Sequence, residues 1–84
     1  MNKYLVLTLR RPGFDPEALQ QHFLFLERLR LEGKLEASGA FTNQPGGAYL
    51  LKAADLGEAQ RLAAADPLHV TGSSDVTVYE WALH

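Results

Sequence analysis

Two side chains in this sequence, His22 and Asp66, are suited to proton transfer. An imidazole exchanges a proton near neutral pH, and a neighbouring carboxylate fixes its tautomer and stabilises its protonated form. Asp66 directly precedes Pro67, and proline disfavours helical geometry in the residue before it, so Asp66 should mark the end of a helix. A carboxylate there faces the negative end of the helix dipole and needs a cation or hydrogen-bond donor beside it. We expect His22 to be that partner.

Other polar side chains could complete such a site. Ser38, followed by Gly39, is the expected substrate-binding position, and no nucleophile elbow surrounds this serine. His69 follows Asp66 closely and could add a third polar group, but we favour the alternative of an exposed loop histidine. His22, Asp66 and His69 are acceptable ligand types for zinc, but no local spacing supports a metal site, and we expect none.

Composition excludes several classes of function. The chain has 84 residues, which predicts one domain, residues 1–84. A net charge of −2 gives no electrostatic reason to bind nucleic acid. The absence of cysteine excludes thiol catalysis and cysteine-based metal sites.

No apolar run is long enough to span a membrane, and a strand pattern begins at once, so we expect a cytoplasmic protein without a membrane partner. The pair Gly46-Gly47 lies between strands rather than before a helix, so it is not a phosphate loop, and no cofactor is expected.

The first half of the chain reads as a strand and a helix. Residues 3–10 alternate with apolar side chains on both faces, which predicts a central strand. Asp15-Pro16-Glu17 is a helix start, and Gly33 should stop this helix after about Glu32. Its expected apolar stripe is Leu19, His22, Phe23, Leu26 and Leu29, with Phe25 at the flank and Leu24 and Leu31 nearly opposite.

The second half supplies three strands and a helix, in the order strand 35–42, strand 48–53, helix 56–65 and strand 75–83. The sequence βαββαβ predicts a ferredoxin-like α+β sandwich, a four-stranded antiparallel sheet with two helices on one face. The other face would be left apolar and uncovered, so we expect a homodimer in which two sheets pack face to face.

This topology brings the candidate residues together. The first and third strands run antiparallel, so the helices that follow them are antiparallel as well. The end of the second helix, with Asp66, then lies beside the first half of the first helix, with His22.

The same residues resemble a known family, the YciI (YCII-related) family. The resemblance covers nearly the whole chain and rests on the segments His22-Phe23-Leu24-Phe25-Leu26, Leu31-Glu32-Gly33-Lys34-Leu35, Ser38-Gly39-Ala40, Ala65-Asp66-Pro67-Leu68 and Tyr79-Glu80-Trp81. One departure is Ala40, where the family usually has proline.

The resemblance implies a site and a type of activity. In that family the helix histidine and the Asp-Pro aspartate form the proposed active-site pair in a small pocket, and these match His22 and Asp66. The family is similar to dimeric α+β barrel proteins, whose relatives carry out eliminations or isomerisations on small ring compounds. We therefore expect a cofactor-independent lyase or isomerase that acts on a small cyclic or unsaturated metabolite. The alternatives are a non-catalytic dimer that binds a small ligand and a purely structural dimeric domain.

Overall fold

The chain forms one antiparallel sheet with helices packed on one of its faces. The structure is a computed structural model that describes residues 2–84. Its strands and helices are β1 (Lys3–Arg10), α1 (Pro16–Leu31), β2 (Leu35–Ala40), β3 (Gly47–Leu51), α2 (Leu56–Ala64), α3 (Pro67–Val70) and β4 (Ser74–Trp81). The four strands lie in the order β2-β3-β1-β4, and each neighbouring pair is antiparallel. The expected ferredoxin-like α+β fold is therefore confirmed. None of the helices within residues 2–84 has both the length and the apolar character needed to cross a membrane.

Strand β1 is the centre of the sheet, between β3 and β4. Its alternation places Tyr4, Val6 and Thr8 in the buried layer under the helices. Leu5 and Leu7 point to the opposite face and are only half-buried. The core therefore lies on the helix side of β1, where Val6 and Leu51 are fully buried.

Helix α1 begins and ends as its sequence predicts. The Glu17 N–H donates to the Asp15 carboxylate at 2.9 Å, and Gly33 ends the helix with a positive φ of 75°. The face towards the sheet is formed by Ala18, His22, Leu26 and Leu29, which are buried.

The predicted apolar stripe was wrong at one position. Phe23 is 55% exposed, because each residue of a helix turns about 100° from the one before, which places Phe23 at the flank of the helix when His22 faces inward. Leu24 and Leu31 are exposed, as their position opposite the stripe indicated.

Several strand limits differ from the predicted ones. Strands β2 and β3 end at Ala40 and Leu51, rather than at residues 42 and 53. The Phe41 N–H donates to the Gly46 carbonyl across the hairpin loop, so the turn begins directly after β2. Strand β4 spans Ser74–Trp81 instead of residues 75–83.

The predicted helix break at Asp66-Pro67 contains a further short helix. α2 ends at Ala64, and Asp66 caps the start of α3, where its carboxylate accepts a hydrogen bond from the Leu68 N–H at 2.9 Å. Asp66 is therefore the N-cap of α3, with proline at the first helical position. The expectation that it faces only the negative end of α2 was incomplete.

Candidate functional site

His22 and Asp66 are in direct contact inside the protein. The Nδ1 atom of His22 lies 2.9 Å from Oδ1 and 3.0 Å from Oδ2 of Asp66. Asp66 is completely buried, and 7% of His22 remains exposed. The topology that places these two residues at the same end of the molecule thus also brings them within hydrogen-bond distance.

Tyr49 is a third member of this cluster, and the sequence analysis missed it. Its hydroxyl donates to Oδ2 of Asp66 at 2.8 Å, and its ring centroid lies 5.8 Å from that of His22. Burial raises the pKa of Tyr49 far above the usual 10.0, and the charge of Asp66 and the hydrogen bond to it raise this pKa further. Tyr49 therefore remains a neutral donor.

Three elements hold the cluster in place. α1 carries His22 on its buried face, and β3 places Tyr49 opposite Val6 of the central strand. Asp66 comes from the junction of α2 and α3, and α3 packs against α1. The alternation of β3, with Gly47, Tyr49 and Leu51 buried, could have indicated that the tyrosine faces the helices.

The hydrogen bonds assign a distinct task to each nitrogen of the His22 ring. The Asp66 carboxylate also accepts from Tyr49 and from the Leu68 N–H, so it acts as an acceptor throughout the cluster. Nδ1 of His22 is then the protonated donor, and Nε2 carries a lone pair in the neutral ring. Within residues 2–84 the ring forms hydrogen bonds only through Nδ1. Nε2 is thus available to exchange a proton with a bound molecule.

The His22 ring lines a cavity of about 330 Å³ between the helices and the sheet. A pocket of this size suits a small molecule. Its lining is mostly apolar, with a few polar side chains. The lining includes Leu19, Phe23, Leu26 and Leu68 from the helices, Thr8 and Arg10 from β1, Ser38 and Gly39 from β2, Tyr49 from β3 and Ser74 from β4.

Ser38 and Gly39 both line this cavity, at its β2 side. Ser38 is paired with Tyr49 in the sheet register, which places the serine beside the cluster. Gly39 is paired with Ala48. Both residues are exposed, so they lie at the rim of the cavity rather than at its floor.

His69 is separate from this site. It is exposed on α3 and lines a different depression, formed by α2 and β4. Across residues 2–84, His, Asp and Glu side chains form no group of three or more that could hold a metal ion.

The fold and the cluster define a class: small ferredoxin-like α+β proteins with a buried His–Asp pair beside a ligand-sized cavity. The chain belongs to the YCII-related family, because the model of the YCII-related domain matches residues 3–82. It is also 43% identical to the uncharacterized protein YjpA of Bacillus subtilis (strain 168), over 99% of this chain and 98% of YjpA.

Solved structures share the fold at low sequence identity. A 5-chloro-2-hydroxyhydroquinone dehydrochlorinase, TftG from Burkholderia phenoliruptrix AC1100 in complex with 2,5-dihydroxybenzoquinone, superposes with a TM-score of 0.72 at 18% identity, over 98% of this chain and 95% of TftG. An antibiotic biosynthesis monooxygenase gives 0.63 at 16% identity, with 100% and 99% covered. At these identities the likeness concerns the fold alone, a four-stranded antiparallel sheet with helices on one face.

Proposed function

We propose that this protein is a cofactor-independent lyase or isomerase that acts on a small cyclic or unsaturated metabolite. The observation that carries the proposal is the buried chain of hydrogen bonds from Tyr49 through Asp66 to His22, with the His22 ring at the wall of the cavity. Such a chain orients an imidazole and balances the charge that it acquires when it takes up a proton. The dehydrochlorinase activity named for TftG is a reaction of this kind on the same fold.

His22 would act through Nε2. The ring removes a proton from a carbon atom next to a carbonyl group of the substrate, and the electrons of the broken C–H bond form a double bond. In an elimination a leaving group departs with its electron pair. In an isomerisation the protonated ring returns the proton at another carbon. The carboxylate of Asp66, 2.9 Å from Nδ1, stabilises the imidazolium during either reaction.

Proton exchange in heavy water tests this role without knowledge of the natural substrate. We would incubate the protein with small enolisable ring ketones and hydroquinones, with and without a leaving group, and follow deuterium incorporation or release of the leaving group by NMR. We expect exchange in at least one compound, and a loss of roughly hundredfold to ten-thousandfold in His22→Asn. Asparagine keeps an N–H group that can donate to Asp66 but cannot accept the proton.

The matched control is His69→Asn, the same substitution at a surface histidine outside the cavity. It should leave the exchange rate unchanged. Binding of compounds without exchange in the wild-type protein contradicts the enzymatic proposal and favours a ligand-binding module. Equal exchange in wild type and His22→Asn also contradicts it.

We also propose that the protein is a homodimer in which two sheets pack face to face. The helices cover one face of the sheet, while the other exposes Leu9, Tyr79 and Trp81 at 36%, 52% and 46%. Contiguous apolar surface of this kind usually marks an interface in soluble proteins. Both sheets in such a pair keep their helices and cavities on the outside, so each cavity remains accessible to a small-molecule ligand.

A further inference from the structure

One end of the cavity carries groups that the proposed reaction does not use. Val6, Thr8 and Arg10 alternate along the same face of β1, and Val6 is paired with Tyr49 while Arg10 is paired with Ser74. Two residues of a strand span about 6.6 Å, so Arg10 lies about 13 Å along β1 from the level of Tyr49. The cavity therefore extends along β1 from the His22–Tyr49 end to an end formed by Arg10, Phe14 and Ser74.

The walls of the cavity carry a positively charged side chain and no negatively charged one. Of the described residues that line it, the ionisable ones are Arg10, His22 and Tyr49, and none is an aspartate or glutamate. Tyr49 stays neutral because burial raises its pKa. Although the chain has a net charge of −2, its cavity thus presents a fixed positive charge at the Arg10 end, where an anionic group would be attracted.

Arg10 is held in a position that leaves its donors available. Its guanidinium carbon lies 4.4 Å from the centroid of the Phe14 ring. A guanidinium stacked on an aromatic ring keeps its N–H donors free for a planar carboxylate. Within residues 2–84 no carboxylate lies within ion-pair distance of Arg10, whereas the Nε atom of the adjacent Arg11 lies 3.7 Å from Asp75.

Ser74 supplies a second donor at the same end. Its residue is only 5% exposed and lines the cavity. In the part of the chain that the structure describes, its hydroxyl forms no hydrogen bond, although Ser73 next to it bonds to Thr71. No buried side-chain oxygen or nitrogen within residues 2–84 lacks a partner, so this hydroxyl is open to the cavity, where it can donate to a ligand atom.

We propose that Arg10 and Ser74 form a subsite for a carboxylate group, so that the ligand of this cavity is a small ring compound with a carboxylate substituent. The guanidinium of Arg10 binds the carboxylate through parallel N–H donors, and the Ser74 hydroxyl donates a further hydrogen bond. The apolar side chains between the two ends surround the ring. Only the orientation of the ligand, with the other end of its ring towards His22, rests on the proposed function.

Matched acids and amides test the subsite. We would titrate the protein with benzoate and benzamide, and with para-hydroxybenzoate and its amide, and follow the backbone amide signals of β1 and β4 by NMR. We expect each acid to bind about tenfold more tightly than its amide, the size of effect typical of a charge-assisted hydrogen bond near a surface. Arg10→Gln should abolish this preference, and Ser74→Ala should reduce it. Arg10→Lys should keep only part of it, because lysine lacks the planar donor pair.

Arg11→Gln is the matched control, since it removes the same charge one residue away but outside the cavity. It should leave the preference for the acid intact. An equal loss in Arg11→Gln, an unchanged preference in Arg10→Gln, or failure of every acid to bind overturns the subsite.

The experiment also separates this subsite from the proposed reaction. His22→Asn should retain the preference for acids while it loses proton exchange. If acids are preferred through Arg10 but no compound exchanges a proton, the subsite stands and the enzymatic proposal fails. If neutral ketones exchange through His22 but acids are not preferred, the subsite alone is rejected.

Discussion

At the scale of single residues, the Asp66 carboxylate is notable because it is completely buried and yet fully paired. Its oxygens accept from Tyr49, from the Leu68 N–H and from His22. A buried charge without such donors is strongly destabilising. Three donors from three elements thus offset the free-energy cost of burying the carboxylate. They also hold the carboxylate in position beside His22.

Removal of one donor should therefore be costly. We expect Tyr49→Phe to lower the free energy of unfolding by about 1–3 kcal/mol, because the Asp66 carboxylate loses a hydrogen bond inside the protein. Tyr79→Phe is the matched control: Tyr79 lies on the other face of the sheet, its hydroxyl forms no hydrogen bond within residues 2–84, and phenylalanine keeps that face apolar. Denaturant unfolding of both variants at neutral pH measures the difference, and equal stabilities would contradict the role of the Tyr49 hydroxyl.

The same pair of variants gives a prediction for the dependence of stability on pH. The pKa of Tyr49 is raised by burial, by the charge of Asp66 and by the hydrogen bond to it. Above the usual value of 10.0 the unfolded chain loses this phenol proton while the folded protein keeps it, so the stabilisation is complete below pH 10.0 and decreases as the pH rises. We expect a shallower alkaline loss of stability in Tyr49→Phe than in wild type or Tyr79→Phe. Unfolding curves at several pH values above neutrality test this, and identical slopes in the three proteins would refute it.

The sequence could predict part of this cluster. The Asp-Pro pair and the inward helix position of His22 are visible in the sequence, and the topology places both at one end of the molecule. Tyr49 could not be assigned in the same way, because a tyrosine in an apolar strand is indistinguishable from an ordinary core residue. Its role depends on the register with Val6 and on the path of the chain into α3.

At the scale of elements, the β2–β3 hairpin forms the rim of the cavity and depends on close backbone packing. A Cβ atom at Gly47 would overlap the carbonyl oxygen of Gly39, whereas a Cβ atom at Gly39 would meet nothing within 4 Å. Two glycines that are near each other in the same strand pair thus differ sharply in the space around them. Only one of them requires the absence of a side chain.

Alanine substitutions at these two glycines should show whether the backbone contact at Gly47 limits stability. We expect Gly47→Ala to lower the free energy of unfolding by about 1–3 kcal/mol, because β2 must move away from β3 to relieve the overlap. Gly39→Ala should have little effect on stability. Thermal or denaturant unfolding of the two variants provides the comparison, and equal losses would show that the backbone contact at Gly47 is not limiting.

The elements show where sequence reasoning succeeds and where it fails. Asp15-Pro16 and Asp66-Pro67 have the same N-cap pattern, and both start a helix. In the sequence the second pattern indicates only the end of α2, because it follows that helix directly and the helix after it has only 4 residues. Local signals predict the long helix and the central strand well, but short elements depend on tertiary contacts that no local pattern records.

At the scale of the whole molecule, the order of the elements predicts the sheet and leaves one of its faces without a cover. Leu5 and Leu7 of β1 lie on this face and are only half-buried. Tyr79 of β4 is paired with Leu5, and Trp81 is paired with Lys3 on the same face. The amino-acid pattern shows that the face is apolar. Which surface covers it depends on association between chains, which the pattern within one chain does not specify.

The proposed dimer can be tested through this face. We expect light scattering at micromolar concentration to give twice the chain mass of 9.3 kDa. Tyr79→Glu should shift the protein to a monomer, because the pairing of two sheets would bury the new charges without partners. Leu24→Glu is the matched control: Leu24 is 63% exposed on the outer side of α1, so this variant should remain dimeric. A monomeric wild-type protein, or equal masses for the two variants, would contradict face-to-face pairing, and the exposed apolar face would then have to be covered by another partner.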